Sequence, residues 1–155
     1  MAGTPATIAL NRLGIAFRLH EFEHDPGERH YGLEAARALG VDPDRVFKTL
    51  LVSAVPGPGH GVGIVPVTTQ LSLKAIAAAF GHKRVDMCDP ATAERLTGYV
   101  VGGISPLGQK RPLPTVVDET CELWDTVFVS GGRRGLDIEL APGDLVAALD
   151  AVVAD

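Results

Sequence analysis

Four dipeptides, Thr4-Pro5, Asp42-Pro43, Asp89-Pro90 and Ala141-Pro142, place proline at or beside a first helical position, and three of them begin with a good N-cap. Proline lacks the N–H that the first helical turn leaves unpaired anyway, so these pairs mark where helices can begin. Glycine marks where they stop. Gly14, Gly40 and Gly81 follow predicted helices over residues 5–13, 32–39 and 73–80, because a left-handed closing residue is cheapest without a Cβ. Ser72 caps the third of these, and a last helix is predicted over 143–153. Runs rich in β-branched and aromatic residues predict strands over 16–20, 46–54, 61–67, 84–87, 115–117, 126–129 and 137–140. Helices and strands do not alternate regularly. The expected fold is therefore α+β, a mixed, curved sheet with helices outside, and not a doubly wound parallel sheet. Pro56-Gly57-Pro58-Gly59 predicts a hairpin loop between two of the strands.

Composition bounds the function classes. At 155 residues, 46% apolar and 21% charged, the chain suits one compact domain spanning 1–155. Apolar stretches such as Leu50 to Val55 fall far short of the ~20 residues that cross a bilayer, and the first fifteen residues lack a signal-peptide layout. The expected compartment is the cytoplasm, with no membrane partner. Cys88 and Cys121 show no CxxC spacing, so reduced thiols are expected. A net charge of −5 argues against a broad basic face for DNA or RNA, so RNA contact must be local or shared with a partner. Local positive charge does occur at Lys110 and Arg111 and at Arg133 and Arg134, which also fit solvated loops.

Lys48 interrupts Val46-Phe47-Lys48-Thr49-Leu50-Leu51-Val52, otherwise a core strand. Alternation puts Val46, Lys48 and Leu50 on one face and Phe47, Thr49 and Leu51 on the other. Lining a cleft, the ammonium would be partly desolvated with three donors for a carbonyl, phosphate or ribose oxygen; on an edge strand it would instead block aggregation. In the segment 98–110, Gly102, Gly103 and Gly108 allow close backbone approach and Pro106 stiffens the bend, so exposed N–H groups could receive an oxyanion, or the segment is a structural loop. Residues 129–140 run from a strand through a basic glycine turn into another strand. Ser130 and Asp137 flank the turn, which fits a phosphate cradle or a plain hairpin, without the GxxxxGKS/T spacing of a P-loop. His20 and His24 lie beside Asp25-Pro26-Gly27 without HExxH order, so no metal and no cofactor are expected. No G-x-S-x-G elbow occurs around Ser105, and neither cysteine has a histidine or oxyanion partner in its own segment.

The segments His20 to Pro26, Val46 to Val52, Thr97 to Lys110 and Val129 to Leu140 together resemble the YbaK/EbsC family of aminoacyl-tRNA editing domains, in order over nearly the whole chain. The stretches GGISPLGQK and SGGRRGLDIEL carry most of that specificity. The resemblance implies a barrel-like curved sheet and a deacylase that acts in trans on mischarged tRNA. Cys-tRNA(Pro) is the leading substrate and Cys-tRNA(Cys) a further one, with prolyl-tRNA synthetase as partner. It implies that Lys48 is the essential lysine and that Gly102, Gly103, Ile104, Ser105 and Pro106 form the family's GxxxP loop. It further implies that Ser130 and Asp137 line the pocket, with Tyr31 and Thr49 bordering it. The family often carries tyrosine where this chain has Phe22, which supplies an apolar wall without a hydroxyl. The alternatives are another editing specificity, such as Ala-tRNA(Pro), or a non-catalytic module that binds a nucleotide or a partner.

Overall fold

The computed structural model describes residues 3–154, so residues 1, 2 and 155 of the expected domain lie outside it. Helix α1 (Pro5–Leu13) starts where proline predicts and closes a capping box through Thr4 and Thr7, and Gly14 ends it at φ 68°. Strand β1 (Arg18–Glu21) leads through an extended segment to α2 (Tyr31–Leu39), one residue longer at its start than predicted, which Gly40 ends. The Asp42-Pro43 signal gives only a 3-10 turn, Pro43–Arg45, because the β-branched and aromatic run from Val46 takes over at once. β2 (Phe47–Ala54) and β3 (His60–Pro66) form the predicted hairpin. α3 (Leu73–Ala79), β4 (Val85–Met87), α4 (Pro90–Thr97) and β5 (Thr115–Asp118) follow, then a 3-10 segment, Glu119–Leu123, that the sequence reading did not include. β6 (Val127–Arg133) and β7 (Leu136–Leu140) make a second hairpin before α5 (Pro142–Leu149) and β8 (Val152–Ala154).

The chain end corrects the predicted helix over 143–153. Asp150 adopts φ 49° and stops α5, after which Val152 to Ala154 pair in parallel with Val116 to Asp118 of β5. Two β-branched residues beside an open strand gain more as a ladder than as a last helical turn.

Strands order as β1-β7-β6 in one sheet and β4-β2-β3-β5-β8 in the other, with parallel pairing only at β3-β5 and β5-β8. The architecture is thus mixed α+β. Among the described residues neither sheet closes on itself, and a single parallel bridge, Val46 to Phe128, joins them. The main core lies between the sheets and includes Phe47, Leu51, Ile64, Val129, Ile138 and the α1 residue Leu10. A smaller cluster seats α3 on β2 and β4 through Val52, Ile76, Ala77 and Val85. That helix lies so close to β3 that a Cβ on Gly63 would stand 2.7 Å from the Ile76 side chain.

Candidate functional site

β2 pairs with β3 from Phe47 to Ser53. On its other side β4 covers only Val52 to Ala54, and among the described residues β6 is bridged to this segment only at Val46. The sheets part between those two contacts, and a cavity of about 380 Å³ lies there, a size suited to a small ligand. The Leu51 carbonyl accepts from the Cys88 N–H at 2.9 Å across that side, so the two-residue period turns the Thr49 peptide groups to the same open edge.

The cavity brings together most of the residues singled out above. Lys48 and Thr49 from β2, Ser130 from β6, Asp137 from β7, Gly102 and Ile104 from the glycine loop, and Phe22 and Tyr31 all line it. Gly103, Ser105 and Pro106 do not. They are buried behind the wall, where the Gly103 N–H is held by the Val100 carbonyl at 2.9 Å and the Ser105 hydroxyl accepts from the Leu107 N–H at 3.2 Å. The N–H groups of Gly102 and Ile104 have no hydrogen-bond partner among the described residues.

Two ionisable groups of the wall are poorly solvated. Lys48 is half-buried, has no ion pair among the described residues, and burial lowers its pKa from the usual ammonium value. Asp137 is only 6% exposed and makes no side-chain hydrogen bond among the described residues; burial pushes its carboxyl up to about 7. Ser130 sits directly opposite Asp137 in the β6-β7 ladder, so their side chains share one face. The Thr49 Oγ1 is buried without any hydrogen-bond partner among the described residues. An unsatisfied buried hydroxyl costs about 1–3 kcal/mol, which makes it a donor or acceptor held ready for a ligand.

Packing fixes the rim. Gly102 has φ 87°, and a Cβ there would come within 2.7 Å of Arg134 Nε and 2.9 Å of the Tyr31 ring. Only glycine admits this approach. Arg134 donates Nε–H to the Val101 carbonyl at 2.8 Å, and its guanidinium lies 4.9 Å from the Tyr31 ring centroid. Phe22 is tied to the hairpin turn by its N–H, 2.9 Å from the Gly135 carbonyl. Within the wall the buried Glu34 carboxylate accepts from His24 Nδ1 at 2.6 Å and from the Asp25 N–H at 2.8 Å, which fastens the segment before α2.

The five histidines are not gathered: His20 bonds Glu139 and His24 bonds Glu34. Of the positive clusters, Arg133 and Arg134 line the cavity, whereas Lys110 and Arg111 do not. Sequence reading missed Arg29, Glu34 and Cys88 as wall residues. Cys88 is placed there by its bond to β2, a contact without a local signal, whereas Cys121 is fully buried in the core outside the cavity, where burial pushes its thiol up to about 11.

The model of the aminoacyl-tRNA editing domain family matches residues 29–148. EbsC of Enterococcus faecalis, named as a candidate Cys-tRNA(Pro)/Cys-tRNA(Cys) deacylase, is 37% identical over 136 residues, covering 87% of this chain and 82% of that protein. A crystal structure described as a candidate trans-editing enzyme for prolyl-tRNA synthetase superposes with a TM-score of 0.85 at 26% identity, covering 100% of this chain and 98% of the other. The hypothetical protein APE2540 superposes with a TM-score of 0.87 at 30% identity, covering 98% of each chain.

Proposed function

This chain belongs to the aminoacyl-tRNA editing domain family, and we propose that it works as a single-domain deacylase that cleaves mischarged tRNA in trans, with Cys-tRNA(Pro) the leading substrate and Cys-tRNA(Cys) a further one. The names borne by the similar proteins support this reading. The observation that carries it is the pairing of Lys48, which has no ion pair among the described residues, with the open Gly102 and Ile104 N–H groups in one cavity of ligand size. The two sheets serve as a single barrel-like wall around the aminoacyl group. A cytoplasmic setting is proposed with this substrate; no helix among the described residues is long and apolar enough to cross a membrane.

Cleaving the ester needs a nucleophile and a place for the oxyanion. In our reading the substrate's own thiol attacks its carbonyl. The C–S bond forms, the carbon–ribose oxygen bond breaks, and the ribose oxygen takes a proton; free tRNA leaves, and water then opens the cyclic thiolactone to cysteine. Asp137, with its carboxyl near 7, takes the thiol proton as carboxylate and returns it to the ribose oxygen as acid. The Lys48 ammonium and the free N–H groups of Gly102 and Ile104 receive the oxyanion; Gly103, whose N–H is already spent, does not. Poor solvation raises the gain, since developing negative charge supplies the lysine with the partner that burial removed. Phe22 packs against the substrate as an apolar wall. Because the chain carries −5 overall, prolyl-tRNA synthetase is proposed to supply much of the tRNA affinity through a second weak contact.

A deacylation panel on cysteinyl-, seryl- and alanyl-tRNA(Pro), with the natural protein and Lys48→Ala, tests this. Cysteinyl-tRNA should react about 100-fold faster than the others, and Lys48→Ala should lose about 100-fold or more in kcat with an unchanged urea midpoint. Equal seryl and cysteinyl rates remove the thiol step, preference for alanine moves the specificity to Ala-tRNA(Pro), and a fully active Lys48→Ala protein sinks the site.

A further inference from the structure

The chain is acidic overall, yet its cavity wall carries four cationic side chains, Arg29, Lys48, Arg133 and Arg134, against two carboxylates, Glu34 and Asp137. Glu34 is committed to His24 and the Asp25 N–H. The three arginines are exposed and come from two segments, the turn before α2 and the β6-β7 hairpin, that meet at the cavity. Among the described residues none is neutralised by a close ion pair: the nearest, Arg133 to Glu21, is 3.7 Å and joins two exposed side chains, and the Arg29 side chain donates only to the Pro26 carbonyl at 3.1 Å. Arg134 is different again. Its Nε is held by the Val101 carbonyl and its guanidinium carbon lies over the Tyr31 ring, so its four terminal N–H donors are held in place at the mouth, and they have no hydrogen-bond partner among the described residues.

We propose that Arg29, Arg133 and Arg134, with the Tyr31 ring, form the seat for the single-stranded 3′ end of the substrate RNA. The guanidinium groups take its phosphodiesters, and the terminal base stacks beside the Tyr31-Arg134 pair. This rests on the deacylase reading, which needs the ester carbonyl in the cavity and therefore the last nucleotides at its mouth. Three features match that occupant. An oriented guanidinium fork fits phosphate bidentately. A planar cation already resting on an aromatic ring extends one stacking platform for a base. Gly102 lets loop, arginine and ring close on each other, so the seat and the oxyanion donors are built from the same contact. Lys110 and Arg111 have similar charge but line no part of this cavity, and they supply the control.

Binding of uncharged tRNA(Pro) is measured by fluorescence anisotropy across a salt series, separately from deacylation of cysteinyl-tRNA(Pro). Each phosphate contact on a single strand contributes a slope of about −0.7 in log affinity against log salt, so the triple variant Arg29→Ala, Arg133→Ala, Arg134→Ala should flatten the slope by about 2 and weaken binding at least tenfold. Arg134→Lys should keep the salt slope and still lose about tenfold, because charge remains while planar stacking is gone. Lys110→Ala with Arg111→Ala should leave deacylation unchanged and alter binding less than the triple variant. The proposal is overturned if the triple variant binds RNA as the natural protein does, if the Lys110/Arg111 control weakens binding as much, or if only a complex with the synthetase is lost. Normal RNA binding through the rim without deacylation by the natural protein would keep the seat and reject the deacylase reading instead.

Discussion

Replacing Asp137 with asparagine should make the protein more stable above neutral pH while impairing its chemistry. The carboxyl is 6% exposed, no hydrogen bond among the described residues compensates it, and burial raises it from 3.8 to about 7. Three pH units at about 1.4 kcal/mol each amount to about 4 kcal/mol, an upper bound, since water entering the cavity would relax the charge. The sign follows from proton binding. Between about pH 4 and pH 7 the folded protein holds a proton that the unfolded chain has lost, so the stabilisation present below the unfolded value disappears as pH rises through the folded value. Asparagine is never charged and shows no such loss. The side chains around it, His20 opposite Asp137 on β1 and Lys48 and Arg133 of the cavity wall, are the same in both proteins, so the comparison isolates the carboxyl. Urea denaturation at pH 4, 5, 6, 7 and 8 should therefore show the two proteins diverging with pH, by up to about 2 M in midpoint for a slope near 2 kcal/mol per M. In the same series the variant should lose deacylation most steeply near neutrality, where the natural carboxyl exists in both forms. A stability difference independent of pH would refute the reasoning that this side chain is buried and unpaired.

The two remaining predictions concern other residues of the same cavity. Thr49→Val removes a buried hydroxyl without a partner and should leave the urea midpoint unchanged or raise it by about 1 kcal/mol in stability, while deacylation falls; a destabilised variant would show that the hydroxyl is satisfied in the folded protein. Gly102→Ala forces a Cβ to within 2.7 Å of Arg134 Nε and 2.9 Å of Tyr31 at a left-handed φ of 87°, so it should cost about 1–3 kcal/mol and raise KM for cysteinyl-tRNA. An alanine variant with natural stability and KM would mean that the rim is looser than its contacts require.

Local signals determined much of this protein. Proline at the starts of α1 and α4 and glycine at the ends of α1 and α2 act within one turn of chain, through a missing donor at one end and a missing Cβ at the other, and no distant contact is needed to read them. The motif pattern likewise pointed to the editing-domain family, which the 37% identical relative and the family match bear out. What tertiary structure alone decided is pairing between segments far apart in sequence. Val152 to Ala154 became a strand because β5, more than thirty residues earlier, offers an open edge, and their local pattern continues a helix equally well. The cavity exists because β4 and β6 leave part of one side of β2 uncovered, a property of sheet order and not of any residue in β2. For the same reason sequence could mark Gly102 to Pro106 as one loop but not divide it into Gly102 and Ile104 at the wall and Gly103, Ser105 and Pro106 behind it, since the division is made by Arg133, Arg134 and Tyr31 pressing on the loop from other elements.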